Sequence, residues 1–284
     1  MVDPLPVCYL DGKLLPLREA RISPLDRSFL FGDGVYEVIP ARRGQPRRLA
    51  ANLARLAGSL GALRIPNPYP EQRWAELVGE LIAANGGGDV YVYLQVSRGA
   101  EYGRNHAPLP QVPPLVFAFC APLPLPGPEV LEHGLSCITA TDTRWARCDI
   151  KSVALLANVL LRQQAIEAHA TETILLRDGQ LTEASASSVC VVIGGKIRFP
   201  PQAPRLLPGT TRSLIDELAA ADGIGFEIEP VSERELRGAD EIWLTAATRG
   251  AIAVTRLDGA PVGEGRPGPL WRRMHVLIED FWLR

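Results

Sequence analysis

Lysine is the scarcest charged residue in this 284-residue chain. Of its 30 basic residues, 27 are arginine and three are lysine: Lys13, Lys151 and Lys196. Genomic base composition accounts for the ratio, so no function attaches to it. Chemistry that needs a lysine nevertheless has only three candidates. Histidine is almost as scarce. His106, His133, His169 and His275 are isolated and no HExxH occurs, which argues against a histidine metal site. The five cysteines are odd in number, scattered and without a CxxC pair, so neither a disulfide framework nor a zinc ribbon is expected. No apolar run approaches the roughly 18 residues of a transmembrane helix. Met1 to Leu10 lacks a basic segment followed by a long apolar one, so no signal peptide is expected. Thirty basic residues against 32 acidic ones give a net charge of -2, which speaks against nucleic acid or an anionic membrane as partner. There is no Walker-type phosphate loop, no GxGxxG and no GxSxG. Gly32-Asp33-Gly34 lacks the third glycine and precedes a strand, so it is a weak dinucleotide signal. These absences leave a reduced, soluble, cytoplasmic protein as the expectation.

What is present is enough for a sizeable core. Hydrophobic residues make up 46% and charged ones 22%, which excludes a disordered chain and suits one large or two medium domains. Leu5 to Leu17 reads as a hairpin about Asp11-Gly12. Gly34 to Pro40, Asp89 to Ser97 and Leu115 to Cys120 read as strands. Leu49, Leu53, Leu56, Leu60 and Leu63 form one apolar stripe of a helix over Leu49 to Ile65, and a second helix is predicted over Pro70 to Asn85. Ala121 to Pro128 holds four prolines and a glycine, which stop helix and central strand alike. A stiff linker over 121–128 therefore separates a small N-terminal α/β domain, 1–120, from a larger one, 129–284. In the second, strands are predicted over Leu135 to Ala140, Thr173 to Leu176, Ser188 to Ile193, Phe226 to Glu229 and Glu241 to Thr245. Helices are predicted over Ser152 to Ala170, Thr210 to Ala221 and Leu270 to Leu283. Without a repeat or strict βαβα alternation, the fold class is α+β with mixed sheets and flanking helices.

Four features carry potential chemistry. Lys151, in Cys148-Asp-Ile-Lys-Ser-Val, stands at a predicted loop-to-helix junction. The positive helix end and desolvation would both favour a neutral, nucleophilic amine there. On position alone a surface lysine is the simpler account. Lys13 and Lys196 each follow a turn and are expected to be solvated. Leu207-Pro-Gly-Thr-Thr-Arg212 leads into a helix and could cup a phosphate with Thr210 and Thr211, although an ordinary threonine cap is commoner. Glu183, read as following a short strand, could face a pyridine nitrogen; a solvated turn glutamate is the plainer alternative. Arg55 flanks the leucine stripe, where an arginine is usually solvated. Together these residues supply a lysine, an acid, a phosphate cup and an arginine, the four things pyridoxal phosphate needs.

The chain resembles the fold-type-IV (class IV) pyridoxal-phosphate enzymes over nearly its whole length. The resemblance rests on Asp26-Arg-Ser-Phe-Leu-Phe-Gly-Asp-Gly-Val-Tyr-Glu-Val38, Asn52-Leu-Ala-Arg-Leu56, Arg147-Cys-Asp-Ile-Lys-Ser152, Thr182-Glu-Ala-Ser and Pro208-Gly-Thr-Thr-Arg212, in this order and spacing. It implies a two-domain fold with pyridoxal 5′-phosphate enclosed between the domains, and a homodimer in which both subunits furnish each site. Lys151 would be the Schiff-base lysine and proton shuttle. Glu183 would pair with the pyridine nitrogen, and Arg55, Thr210 and Thr211 would hold the phosphate. Within the family the chain is most similar to the D-amino-acid aminotransferases. Their carboxylate trap falls here on Tyr36 of the Gly-Asp-Gly-Val-Tyr-Glu segment and on Arg104 and His106, the latter two in a loop one residue longer than the family pattern. Thr248 is placed with that set; Ala246-Ala247 replaces hydroxyl residues that in the family often help hold the phosphate, with Thr248 displaced by one position.

The activity so implied is amino transfer between a D-amino acid such as D-alanine and a 2-oxo acid. Alternatives on the same fold are a branched-chain L-amino-acid or amine transaminase and aminodeoxychorismate lyase. A non-catalytic binding module is a further alternative, against which intact Lys151 and Glu183 speak.

Overall fold

A computed structural model describes residues 3–283. Met1 and Val2, read above with the N-terminal stretch, and Arg284 lie outside the described residues. The chain forms two units. One runs up to Pro124 and takes in Ile150–Leu155; the other holds Leu125–Asp149 and the chain from Leu156 on. Lys151, assigned by sequence to the C-terminal half, is thus part of the first unit.

The first unit contains β1 (Val7–Leu10), β2 (Lys13–Pro16), α1 (Arg27–Phe31), β3 (Gly34–Arg42), β4 (Gln45–Pro46), α2 (Leu49–Leu63), α3 (Glu71–Ala84), β5 (Val90–Ser97) and β6 (Leu115–Pro122). Its sheet runs β2-β1-β6-β5-β3-β4 and is antiparallel throughout rather than mixed. The reason lies in the connections: tight hairpins join β1–β2 and β3–β4, and no helical crossover of the kind a parallel pair needs links β5 to β6. Alternation divides the sheet into two faces. Val35 and Ile39 of β3 and Val92, Leu94 and Val96 of β5 are buried, in one core with Leu53, Leu56 and Leu60 of α2 and Trp74, Leu77 and Leu81 of α3. Each such leucine contributes about 2 kcal/mol by burial. The other face carries a half-buried aromatic row, Tyr36, Tyr93, Phe119 and Phe117, with successive ring centroids 5.5, 5.1 and 5.9 Å apart.

The Asp26–Val38 motif is a compact local device. Buried Asp26 caps α1, accepting from the Ser28 N–H at 2.8 Å and from the Ser97 hydroxyl at 2.6 Å. Gly32 ends α1 in the left-handed conformation (φ 68°), and a side chain there would press on Ala154. The chain then enters β3.

The second unit contains α4 (Pro128–His133), β7 (Leu135–Thr141), α5 (Leu156–Glu167), β8 (Glu172–Arg177), β9 (Gln180–Ala184), β10 (Ser188–Ile193), β11 (Lys196–Phe199), α6 (Thr210–Ala221), β12 (Phe226–Ile228), α7 (Glu233–Arg237), β13 (Glu241–Ala246), β14 (Gly250–Leu257), β15 (Ala260–Pro261) and α8 (Pro269–Leu283). Eight strands run β12-β11-β10-β13-β14-β7-β8-β9, and β15 pairs with β14. This sheet is mixed: β11–β12, β14–β7 and β7–β8 are parallel. The sequence did not yield β14, a central strand buried on both faces at all but one position. It therefore shows no apolar–polar alternation.

Two local expectations are corrected. The helix predicted from Ser152 begins only at Leu156, because the main chain before it is engaged by β3. The Tyr36 N–H donates to Lys151 O at 2.9 Å, the Val153 N–H donates to Gly34 O at 3.0 Å, and Ser152 bridges Val35. Lys151 consequently lies in extended chain, and the helix-end argument for its reactivity falls. Glu183, expected after a strand, lies within β9.

Candidate active site

In the first unit, β3, α2 and the extended segment at Lys151 converge. The Lys151 N–H donates to the Ser59 hydroxyl on α2 at 3.2 Å, and its carbonyl is bonded to β3. This fixes the main chain while the side chain stays free: Lys151 Nζ makes no hydrogen bond or ion pair among the described residues. Nζ lies 4.3 Å from the centroid of the Tyr36 ring. The other lysines offer nothing comparable. Lys13 is exposed on edge strand β2, and Lys196 is exposed and ion-paired with Glu227 at 2.7 Å.

Arg55 lies one turn before Ser59 on α2. Its Nε and a terminal nitrogen donate to the two oxygens of fully buried Glu37, each at 2.8 Å. This fork holds the guanidinium in one plane. Arg104 and His106 occupy the exposed β5–β6 loop, and both meet Phe31. The Arg104 guanidinium carbon is 5.0 Å from that ring's centroid and the His106 ring 5.5 Å. No hydrogen bond or ring contact joins either to Tyr36 among the described residues.

In the second unit, Glu183 is 4% exposed and bonded at both oxygens. One carboxylate oxygen accepts from Arg144 at 2.7 Å and the other from the Leu207 N–H at 2.9 Å. Arg144 in turn forks onto Asp142 with two bonds of 2.9 Å, and Asp142 accepts the Thr182 hydroxyl at 2.8 Å. Burial pushes the Glu183 carboxyl up, against the opposing pull of Arg144 and the Leu207 N–H. Burial also raises Asp142, but there Arg144 and Thr182 win and hold it below the usual carboxylate range. Thr210 and Thr211, both buried, open the 12-residue helix α6, whose Gly209 cap provides no side-chain acceptor. Their N–H groups belong to the first turn, which has no intrahelical acceptor. Thr248 is half-buried in the β13–β14 turn.

Comparisons with known proteins place the chain in a family. The family described as amino-transferase class IV matches residues 34–257. A D-alanine aminotransferase of Bacillus licheniformis is 38% identical over 270 residues, 95% of each chain. The chain is a class IV aminotransferase. A Staphylococcus haemolyticus D-alanine aminotransferase is 33% identical over 94% of each chain. Among solved structures, a T.th. branched-chain amino acid aminotransferase with pyridoxamine 5′-phosphate matches with a TM-score of 0.91 and 25% identity, over 100% of this chain and 96% of that one. The Escherichia coli branched-chain enzyme shares the fold, with a TM-score of 0.91 and 23% identity over 98% and 95%.

Class IV aminotransferases use pyridoxal 5′-phosphate, which is the cofactor of this chain. The residues present suit it. An amine without a hydrogen-bonding partner suits an aldehyde, and a buried carboxylate with lone pairs to spare suits a pyridinium N–H. An uncapped helix start suits a phosphate. The structure also shows supporting residues around the candidate groups that sequence reading missed. Asp142, Arg144 and Ser59 order Glu183 and Lys151. Neither Asp-x-Arg nor a serine in a helix has a pattern to announce it; only the fold brings them to their targets.

Proposed function

We propose that this aminotransferase exchanges amino groups between D-amino acids, D-alanine among them, and 2-oxo acids. The observation that carries the reading is the Lys151 amine, free of hydrogen bonds beside the Tyr36 ring, in a chain 38% identical to a D-alanine aminotransferase. When bound, pyridoxal phosphate withdraws electrons from the substrate α-carbon and makes its proton removable. Lys151 would hold the resting cofactor covalently and, once the substrate amine has released its own amine, would take up and return the α-carbon proton. Glu183, as a carboxylate, keeps the ring nitrogen protonated. The Thr210–Thr211 turn and Arg55 receive the phosphate, Arg55 being oriented beforehand by Glu37. Tyr36, Arg104, His106 and Thr248 receive the substrate carboxylate. Lys151 would reach the substrate α-hydrogen from one side only, so the side on which the carboxylate is anchored would select the enantiomer.

The working form in this proposal is a homodimer. α5 leaves Leu156 (73% exposed), Val159, Leu160 and Ile166 uncovered, an apolar stripe a second copy would bury. The cytoplasm is the proposed location. All five cysteines are free and buried, and burial pushes Cys120 and Cys137 up to about 12, as suits thiols used only for packing. No helix among the described residues is long and apolar enough to cross a membrane.

The test is to supply D-alanine, L-leucine or a simple chiral amine as donor with 2-oxoglutarate as acceptor and to identify the product. D-alanine is expected to react. Turnover of L-leucine with none of D-alanine would replace this reading with a branched-chain one.

A further inference from the structure

The β5–β6 loop bearing Arg104 and His106 lies on the surface, yet its main chain is gripped from inside. The grip is Arg27, the first residue of α1, which is 4% exposed. Its two terminal nitrogens donate to Asn105 O at 2.7 Å and to His106 O at 3.0 Å. These carbonyls bracket the α-carbon of His106, just beyond Arg104. The same guanidinium pairs with Glu101 at 3.2 Å, and the other Glu101 oxygen accepts the Leu109 N–H at 2.8 Å. One arginine therefore ties both limbs of the loop. Phe31 completes the seat, with Arg27, Arg104 and His106 all against its ring.

Arg27 is itself held. Its Nε donates to Asp33 at 2.9 Å, and Arg98 forks onto the same carboxylate at 2.7 and 3.0 Å. Arg98 also donates to Leu63 O at 2.8 Å, at the end of α2. The loop is thus connected through Arg27, Asp33 and Arg98 to the body of its unit. At its neck, Gly99 has φ 103°, and a side chain there would collide with Pro113 O. Two cations and two carboxylates balance, so burying the cluster leaves no charge unpaired.

We propose that Arg27 is a positioning residue for substrate recognition, setting the aim of Arg104 and His106 by clamping the main chain of the loop that carries them. This rests on the carboxylate-trap reading above and goes beyond it. The extra loop residue does not leave Arg104 adrift, because Arg27 holds the turn from both ends: its N–H donates to Gly99 O at 2.9 Å and its guanidinium to Asn105 O and His106 O. Only arginine does this with one side chain, since its fork reaches two carbonyls and two carboxylates at once. A lysine would keep the charge between Asp33 and Glu101 but would lose the fork.

The test compares Arg27→Lys with the wild-type holoenzyme. The readouts are KM and kcat for D-alanine, the inhibition constant of propionate (a carboxylate without an amine) and the absorbance of the bound cofactor. The expected result is a KM and a propionate constant each raised about tenfold or more, since ångström-scale misplacement has effects of that order. The kcat and cofactor absorbance should stay near wild type. Arg27→Ala should show the same pattern more strongly, and Arg27→Lys keeps the test valid if the alanine variant fails to fold. Unchanged propionate inhibition in Arg27→Lys overturns the proposal, as does a loss of kcat at constant KM, which marks a purely structural role. If the wild type ignores D-alanine, the proposed function fails, and the propionate comparison still decides on Arg27.

Discussion

Lys151 and Glu183 are treated in opposite ways by the units that carry them. Around Lys151 the main chain is tied on both sides, to Ser59 and to β3, while the amine is left with no hydrogen bond and only the face of an aromatic ring. Around Glu183 the functional group itself is tied, each oxygen accepting a bond and the donating Arg144 being clamped in turn by Asp142. The difference suits the work proposed for each. A group that must form and break a covalent bond and carry a proton needs a fixed root and a mobile end. A group that must present one charge in one direction needs every degree of freedom removed, and in a buried site every removed water replaced by a donor.

The largest effect should come from removing the mobile end. Lys151→Ala is expected to lower turnover at least about 10⁴-fold, close to 5 kcal/mol, since covalent attachment and proton transfer vanish together. Borohydride reduction of the wild type followed by peptide mapping should place the cofactor on Lys151. A label on Lys13 or Lys196 would end the comparison by removing one of its terms.

Next comes the clamp on Glu183. Arg144→Met strips Glu183 of its cation and leaves Asp142 only its ion pair with Arg177, at 3.2 Å, and breaking a buried pair in this one-sided way costs about 3–5 kcal/mol. Urea denaturation at neutral pH should show it as a lower midpoint with little change in slope. A midpoint equal to wild type would mean that the network is incidental.

Glu183→Gln keeps the shape and removes the charge. Turnover should fall about 10²-fold, roughly 3 kcal/mol, with the cofactor still bound. Undiminished turnover would reduce Glu183 to a packing residue of β9. A uniform loss of cofactor would show that its role is binding and not catalysis.

How much of this contrast was open to sequence reading depends on range. The cap-helix-glycine-strand device over Asp26–Val38 is local, so its residues announce it. The leucine stripe of α2 is likewise periodic, and Lys151 stood out because lysine is rare. What stayed hidden was long-range. Val153 and Ser152 look helical in an alanine- and leucine-rich stretch, but the edge of β3 claims their main chain first. Arg144 lies 39 positions from Glu183 and Arg27 lies 78 from Asn105. No spacing rule links such pairs, and 27 arginines supply too many candidates.

The smallest expected effect sharpens the comparison by titration. Asp142 is the outer member of the Glu183 clamp, and although burial raises its carboxyl, Arg144 and Thr182 hold it below the ordinary range. A depressed folded-state value means that the unfolded chain takes up the proton first as pH falls. The stability Asp142 provides is therefore complete above the unfolded value near about 3.9 and is lost as pH drops through the folded value. Asp142→Asn cannot titrate. At pH 7 it should be less stable than wild type by about 1–2 kcal/mol, the worth of charge-assisted bonds to Arg144. That gap should narrow as the pH falls below about 4, where the wild type loses the same contribution. Urea midpoints of both proteins across this range measure it. A gap that stays constant with pH would show that Asp142 is not the charged partner of Arg144, and the clamp on Glu183 would then end at the arginine.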